Sequence, residues 1–405
     1  MRLVGFAGRN VFRHRTRSAM TLAAIAFGVV ALIVSGGFVQ NLYRQLGEAI
    51  IHSQSGHLQV ARPALFAEGS RSPEKYRIAD LQAVKSELAQ LPGVKAVTAR
   101  LSIVGLLNNS HTDLPIVGEG VEPDKESELM TSVTVLAGRP LRSHDRNGAL
   151  IGEGLAKELG LEPGNPVTLL ASTIAGAMNT ADLEVVGIFR SFSRDYDARV
   201  VKIPLEAAQE LMGTPDANTV VLLLDNTAKT AAVLAQASPL MQTRGLAVKT
   251  WEQLNDFYAN TVQLYDRQFG VLNVIILLMV ALGVSNAVNM AVLERLGEFG
   301  TMRALGNRGS QVVRLVMLEC VLLGAIGAGA GVVIGAVIAM LISAIGLPMP
   351  PPPNSNIGYT ATIELVPGVM LEAFAVGFAA TIVAGLIPAL RACRVAIVDA
   401  LRQAN

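Results

Sequence analysis

Chemistry in a polypeptide needs nucleophiles, ligands or acid–base pairs at defined spacing, and this 405-residue chain offers few such groupings. Its histidines (His14, His52, His57, His111, His144) are scattered. His52 and His57 lie five apart with no further ligand beside them, which suits no metal site. No H-E-x-x-H, C-x-x-C or G-x-S-x-G stretch occurs, which removes the common zinc, thiol-redox and serine-nucleophile arrangements. Cys320 and Cys393 stand alone and read as inert thiols, and Asp195 and Asp197 read as solvated loop charge. Val34-Ser35-Gly36-Gly37-Phe38 carries an SGG, but the chain has no Gly-Lys dipeptide and hence no G-x-x-x-x-G-K-[ST] loop to cradle phosphates. The expectation is a chain without ATP hydrolysis, metal or cofactor of its own. One dense polar grouping remains, Glu294-Arg295-Leu296-Gly297-Glu298-Phe299-Gly300-Thr301-Met302-Arg303-Ala304-Leu305-Gly306. As a helix it sets Glu294 and Glu298 on one face, with Leu296, Phe299 and Met302 nearer the other. That is the chemistry of binding a partner at a surface.

The elements that must position this segment are apolar runs on either side, Phe269–Leu293 and Leu315–Ile345. Two more runs complete the set, Ser18–Val39 and 368–390. Each has the ~20 residues needed to cross a hydrocarbon core, in keeping with 51% hydrophobic residues, 16% charged residues and a mean hydropathy of +0.44. A net charge of +1 supplies no basic excess for nucleic acid. The first run is too long for a signal-peptide core and lacks an A-x-A cleavage site, so it reads as an uncleaved span. Arginine marks one side: Arg2, Arg9, Arg13, Arg15 and Arg17 before the first span, Arg295, Arg303, Arg308 and Arg314 in 294–314, and Arg391, Arg394 and Arg402 in the tail. Loop 346–367 has no Lys or Arg. By the positive-inside rule both termini and 294–314 are cytoplasmic, while 40–268 and 346–367 lie outside.

The expected order is therefore a cytoplasmic segment 1–17, spans 18–39, 269–293, 315–345 and 368–390, an outer domain 40–268, the polar segment 294–314, an outer loop 346–367 and a tail 391–405. The outer domain reads as mixed α/β. Asp80 can cap a helix over 81–90, and further helices are expected at 154–159, 204–212 and 227–237. Strands are expected at 94–100, 114–121, 149–151, 167–171, 183–190, 199–203, 219–224 and 246–249. The outer pieces, 52–122 and 204–249, pair into one layer, with 123–203 inserted as a β-richer subdomain. Thr250-Trp251-Glu252-Gln253 has capping-box form and opens an unbroken helix to Leu293, roughly 65 Å long at 1.5 Å per residue, so the second span should project outward as a stalk. Trp251, Tyr258 and Tyr265, seven apart, read as a helix seam. Gly327, Gly331 and Gly335 make one small-residue face for close packing in the bundle or at a dimer contact. Glu319, inside a span, is expected to snorkel or pair with Arg314 or Arg303. Asn273, Asn286 and Asn289 are expected to bond between helices, and the prolines of 348–353 to stiffen the outer loop.

The segment 294–306 resembles the coupling helix of FtsX/MacB-type ABC permeases, E-R-x-x-E-[IF]-G-x-[ML]-[RK]-A-[LI]-G, at every fixed position. The phrases Gly118-Glu119-Gly120-Val121-Glu122-Pro123, Leu136-Ala137-Gly138-Arg139-Pro140-Leu141 and Val185-Val186-Gly187-Ile188-Phe189 are similar to that family's outer domain. Arg9–Ser18 and Pro388–Arg402 are similar to its ends, with Ile397 where the family usually has proline. The resemblance implies a membrane α-helical bundle of four transmembrane helices with a large extracytoplasmic α/β domain, porter-like with an inserted β-rich, sabre-like subdomain. It implies a permease subunit in the bacterial inner membrane that couples a dimeric ABC ATPase, which holds ATP and Mg, to work outside the membrane. Glu294, Arg295, Glu298 and Arg303 would contact that ATPase, with Phe299 and Met302 as its apolar anchor. A second copy or a homologous permease completes the complex. Layout matches the LolC/LolE lipoprotein-releasing branch, which adds membrane lipid and a periplasmic carrier as partners. There a hairpin of the inserted subdomain meets the carrier, here Ser172–Ala181 with Met178 as its largest apolar residue. The alternatives are a MacB-like export permease working with an adaptor, and an FtsX-like switch that activates a cell-wall hydrolase.

Overall fold

The computed structural model describes residues 15–68, 72–352 and 354–394. Most of the N-terminal segment and the tail from 395, including Ile397 and Ala400–Arg402, lie outside the described residues. In chain order the principal elements are α1 (Arg15–Ile50), β1 (Leu58–Ala61), α2 (Leu81–Ala89), β2 (Val94–Asn108), β3 (Asp113–Val121), α3 (Pro123–Leu129), β4 (Thr134–Gly138) and β5 (Gly148–Gly152). They continue with α4 (Glu153–Leu159), β6 (Pro166–Ser172), β7 (Met178–Arg190), β8 (Val200–Pro204), α5 (Leu205–Met212), β9 (Thr219–Leu224), α6 (Thr230–Gln242) and β10 (Ala247–Thr250). The last four are α7 (Asp256–Glu294), α8 (Leu296–Ala304), α9 (Gly309–Ile345) and α10 (Pro367–Arg394). The chain divides into two compact units, one of residues 1–43, 262–348 and 360–405, the other of 44–261 and 349–359.

The first unit is helical. Helices α1, α7, α9 and α10 are each long and apolar enough to cross a membrane. Their core is built from residues four apart: Ile25, Val29 and Ile33 on α1, and Val280, Val284, Val288 and Val292 on α7. Leu315, Val316 and Cys320 of α9 and Ala373 and Ala384 of α10 complete it. Lipid gives no hydrophobic drive between helices, so close packing through small residues must hold the bundle. Gly327, Gly331 and Gly335 meet Ile25, Val29 and Ile33 in turn. The small-residue face of α9 is thus seated on α1 of the same chain.

The second unit is α/β. Its ten-stranded sheet runs β10-β1-β9-β2-β3-β8-β5-β7-β4, and β6 pairs with both β2 and β7. The strands β2-β3-β8-β5-β7-β6 therefore close a ring. Inward-facing Leu101, Ile103 and Leu107 of β2 alternate with outward residues, as a two-residue period requires, and meet Ile116, Val167, Leu169, Val185, Val201 and Ile203 inside the ring. The 15-residue β2 serves both halves of the sheet: Val94–Arg100 pairs with β9, and Gly105–Asn108 with β6. On the β9 side α2 and α6 cover the sheet through Val84, Leu88, Val233 and Met241. The strands of 134–204 thus extend the same sheet as the flanking pieces.

Three local expectations need correction. Asp80 stands at the N-terminus of α2, but in a left-handed conformation (φ 54°) with no side-chain cap. The Thr250–Gln253 capping box forms, yet the helix breaks at Asn255 (φ −121°, ψ 89°), whose side chain accepts from the Tyr258 N–H at 3.0 Å to restart it as α7. Such a local side-chain bond competes with helix continuation. Strands β1 and β4 were not expected.

Candidate functional site

The polar segment between α7 and α9 forms α8, set off from α7 by a kink at Arg295 (φ −107°, ψ 14°). The kink turns Arg295 inward, where only 7% of it is exposed. Its Nη1 donates to both oxygens of Glu319 at 3.0 Å and its Nε to Glu298 at 3.0 Å. The guanidinium lies over the Phe299 ring, 5.2 Å from its centroid, a favourable cation–π placement. Glu319 is therefore paired with Arg295, a partner other than the Arg314 or Arg303 expected from sequence. A carboxylate within a span is costly alone, and this pair supplies the counter-charge.

Phe299 is 2% exposed and packs with Leu296, Val312 and Val316; Met302 packs partly against the same cluster. Phe299 is thus an internal anchor that holds α8 to the bundle. The side open to a partner carries Glu294, Glu298, Thr301 and Leu305, at successive separations of four, three and four. Leu305 is 82% exposed. Arg303 is half-buried beside this row. The 3.6-residue period extended past Ala304 points to Leu305, a residue the charge pattern alone overlooks.

A cleft of about 490 Å³ lies among α1, α7 and α10. Leu32, Val39, Phe269, Leu277 and Val376 line it together with the polar Gln40, Asp266 and Glu372 and the pair Ser35–Asn273, whose Oγ donates to Oδ1 at 3.4 Å. Tyr43 donates to Asp266 at 2.7 Å near its rim. Mostly apolar walls with a few polar groups suit an apolar guest.

In the α/β unit, Ser172 and Met178 are paired residues at the ends of β6 and β7, closing a tight hairpin. Thr173 N–H donates to Ala177 O at 2.8 Å, and Gly176 takes φ 82° to complete the turn. Met178 is 66% exposed at its tip. Deeper in the unit lies a charge cluster. Arg100 donates to Glu126 at 2.8 and 3.2 Å, and Lys202 to Glu126 at 2.6 Å with Glu119 3.1 Å away. Tyr196 donates to Glu119 at 2.9 Å, and Arg100 also reaches the Gln54 carbonyl. Burial alone would raise the Glu126 carboxyl, but the Arg100 and Lys202 cations outweigh it and bring it down to about 2. These residues tie β2, β3, α3 and β8 together.

His57 is satisfied locally, whereas the Nδ1 of neighbouring His52 is buried without a hydrogen-bond partner among the described residues. His57 Nδ1 accepts from the Leu224 N–H at 3.1 Å, so its proton sits on Nε2 and points at Thr227 Oγ1, 3.0 Å away. Thr227 in turn donates to Glu48 at 2.7 Å. Burial, reinforced by His52, lowers the His57 imidazole to about 4 and keeps it neutral. No group of three metal-binding side chains is clustered among the described residues. Asp197 departs from the expected solvated charge: it is 1% exposed, and burial pushes its carboxyl up to about 6 against hydrogen bonds from Ser191 and Asn356.

Comparison with known proteins places two family models on the chain. The MacB-like periplasmic core domain matches residues 18–240 and the FtsX-like permease C-terminal region matches 270–397. YvrN of Bacillus subtilis, an uncharacterized ABC transporter permease, is 26% identical over 97% of both chains. The lipoprotein-releasing system transmembrane protein LolE of Haemophilus influenzae is 24% identical over 78% of this chain and 76% of its own. The macrolide export ATP-binding/permease protein MacB of Brucella abortus is 25% identical over 95% of this chain and 57% of its own. Among solved structures, the extracellular domain of YknZ from Gram-positive bacteria matches 48% of this chain and 99% of its own, at 16% identity and a TM-score of 0.36.

Proposed function

The chain belongs to the ABC-transporter permeases that join a MacB-like periplasmic core domain to an FtsX-like permease region, and from that membership we propose that it couples a separate ATPase to the release of lipid-anchored protein from the membrane. The observation that supports the coupling role is the exposed set Glu298 and Thr301 on α8, with Glu294 at the end of α7 just before the kink and Leu305 just past the last turn of α8. Arg295 and Phe299 fasten the opposite side of α8 to the bundle, so a push or pull on the row moves α7 and α9 with it. Leu305 is the apolar anchor and Glu298 the charged contact, while Phe299 acts from inside. An apolar side chain this exposed, with Arg303 and Arg308 two and three residues away in sequence, suits an interface anchor.

The cargo assignment rests on the cleft among α1, α7 and α10, whose apolar walls suit an acyl chain, and on the likeness to lipoprotein-releasing relatives. Both termini and α8 then face the cytoplasm and the α/β unit the periplasm. The complex holds two permease subunits, and the Ser172–Met178 hairpin offers the released protein to a carrier.

The test is mild-detergent purification of the chain from native membranes, with identification of what accompanies it. The expected result is an ABC ATPase together with lipid-modified proteins. An ATPase with a periplasmic adaptor would move the assignment to small-molecule export, and one with a wall hydrolase to a switch. Leu305→Asp should remove the ATPase while leaving the monomer folded, because its side chain is exposed; Glu298→Lys should remove it too, at the added cost of the Arg295 ion pair. Truncating an interface anchor costs about 2 kcal/mol or more, roughly 30-fold in affinity. Wild-type levels of ATPase with both variants would refute the site.

A further inference from the structure

The outer loop between α9 and α10 departs from a free spacer, because residues 349–359 fold as part of the α/β unit. Its centre forms an antiparallel bridge, Ser355 opposite Ser193. Arg194 N–H donates to Asn354 O at 3.1 Å, and Asn356 N–H to Phe192 O at 2.9 Å. Asn354, in a left-handed conformation that asparagine tolerates (φ 61°), donates its amide to Asp195 at 2.7 Å. Asn356 is used at both ends. Its Oδ1 accepts from Arg194 at 3.2 Å, and its Nδ2 donates to buried Asp197 at 2.6 Å and to Ser191 O at 3.4 Å. Both Asp197 oxygens also accept from the Ser191 N–H, at 3.0 and 3.1 Å.

One residue further on, Ile357 packs against a cluster of Leu46, Ile50, Ile51, Phe192 and Trp251, flanked by Phe257 and Tyr258. Leu46 and Ile50 end α1, Ile51 opens the π-helical turn that follows it, and Phe257 and Tyr258 begin α7. Chain connectivity thus leads all four membrane helices to this cluster: α1 and α7 directly, α9 and α10 through the loop. Surface loops ordinarily make few such fixed contacts. Pro350, Pro351 and Pro352 fix the backbone on the way in, so little of a displacement is lost as slack.

We propose that residues 354–357 are a tether that carries movement of α9 and α10 to the α/β unit, in parallel with α1 and α7, and that Asn356 with Asp197 is its fastener. This rests on the coupling function proposed above. Asn356 and Asp197 are positioning residues, since neither touches cargo. An amide suits position 356 because it must accept from Arg194 and donate to Asp197 together; a carboxylate there would face Asp197 as a like charge.

The test uses the full-length chain with its co-purified ATPase in nanodiscs, read by hydrogen–deuterium exchange with and without Mg-ATP. In wild type, peptides covering 191–197 and 354–359 should be protected, and peptides of the β6–β7 hairpin should change exchange on adding Mg-ATP. Asn356→Asp should raise exchange in the two clasp peptides and cut the hairpin response at least twofold, with ATPase co-purification unchanged. Asp197→Asn combined with Asn356→Asp restores a donor–acceptor pair of reversed polarity and should recover both signals. Asn354→Ala, at an exposed contact with no bearing on the core, should give a smaller loss in the same direction. Opened clasp peptides with a full hairpin response would overturn the tether, as would clasp peptides unchanged by Asn356→Asp. Absence of an ATPase or of any nucleotide response in wild type would instead count against the coupling function itself.

Discussion

Glu126→Gln is the sharpest probe of how the α/β unit is held. The substitution keeps the shape of a buried side chain but removes the charge shared by Arg100 and Lys202. The cluster of Arg100, Lys202, Glu119 and Glu126 is balanced in wild type and would carry one uncompensated cation in the variant. Two routes give the size of the effect. The fall of the Glu126 carboxyl from 4.5 to about 2 is worth about 3 kcal/mol at neutral pH. Breaking a buried pair by removing one partner costs about 3–5 kcal/mol in other proteins. For a unit of this size that is a drop of roughly 6–12 °C in melting temperature. The sign with pH follows from the same numbers. A carboxyl whose folded pKa lies below its unfolded value stabilises the fold above the unfolded pKa and loses that contribution as pH falls through the folded one. The gap between wild type and variant should therefore be full above pH 4.5, narrow as pH falls, and close near pH 2. The chain's single tryptophan, Trp251, is buried in this unit, so its fluorescence during urea unfolding of the full-length protein is a built-in assay. A variant within about 1 kcal/mol of wild type at pH 7, or a gap that persists at pH 2, would refute the reasoning.

The helical unit yields two further comparisons. A Cβ at Gly331 would stand 2.7 Å from Val29 Cβ and 3.0 Å from the Ala26 carbonyl, whereas at Gly335 its nearest neighbour is the flexible end of Ile33 at 3.1 Å. Gly331→Ala should therefore cost about 1–3 kcal/mol by overpacking and Gly335→Ala much less, read as melting temperature in detergent; equal effects would show that α9 does not seat on α1 as described. Arg295→Met removes the ion pairs to both Glu298 and Glu319, while Glu319→Gln removes one and leaves Arg295 still paired with Glu298. The arginine variant should be the more destabilising by about 1–2 kcal/mol, and the reverse order in the same melting assay would contradict the pairing.

What was legible in the sequence follows from what each signal encodes. Apolar length marked the four membrane helices, because a span must be long and continuous. Alternation or unbroken apolar runs located most of the sheet, since β6 and the second half of β7 bury every second residue and β5, β8 and β9 bury every one. β4 buries none of its five residues fully, so it lacks the apolar run that marks the equally short β5 and β8. Small-residue spacing identified the close-packing face of Gly327, Gly331 and Gly335, but a period names a face and never the neighbour that fills it. The segment 294–306 shows the same limit. Motif and amphipathicity found α8, yet Arg295 reads as surface charge until Glu319, 24 residues away, is brought beside it. Asp197 and Asn356 are 159 positions apart, and no local pattern could join them.

If the chain transmits force as proposed, buried polar groups have a particular use in it. Apolar contacts between long helices allow side chains to change rotamer and slide, because dispersion is non-directional. Hydrogen-bonded pairs fix direction and register, at the cost of desolvation that must be matched by partners. Here such pairs stand where an element ends and its motion must pass on. Arg295 with Glu319 binds the start of α8 to α9, Glu48 with Thr227 and His57 binds the end of α1 to β9, and Asp197 with Asn356 binds the outer loop to the turn after β7. Within the helices the contacts are mostly apolar, with valine, isoleucine, leucine, alanine and glycine prominent and Ser35–Asn273 a polar exception. Directional bonds at the joints and plain packing along the shafts suit levers whose ends must hold register while their sides repack.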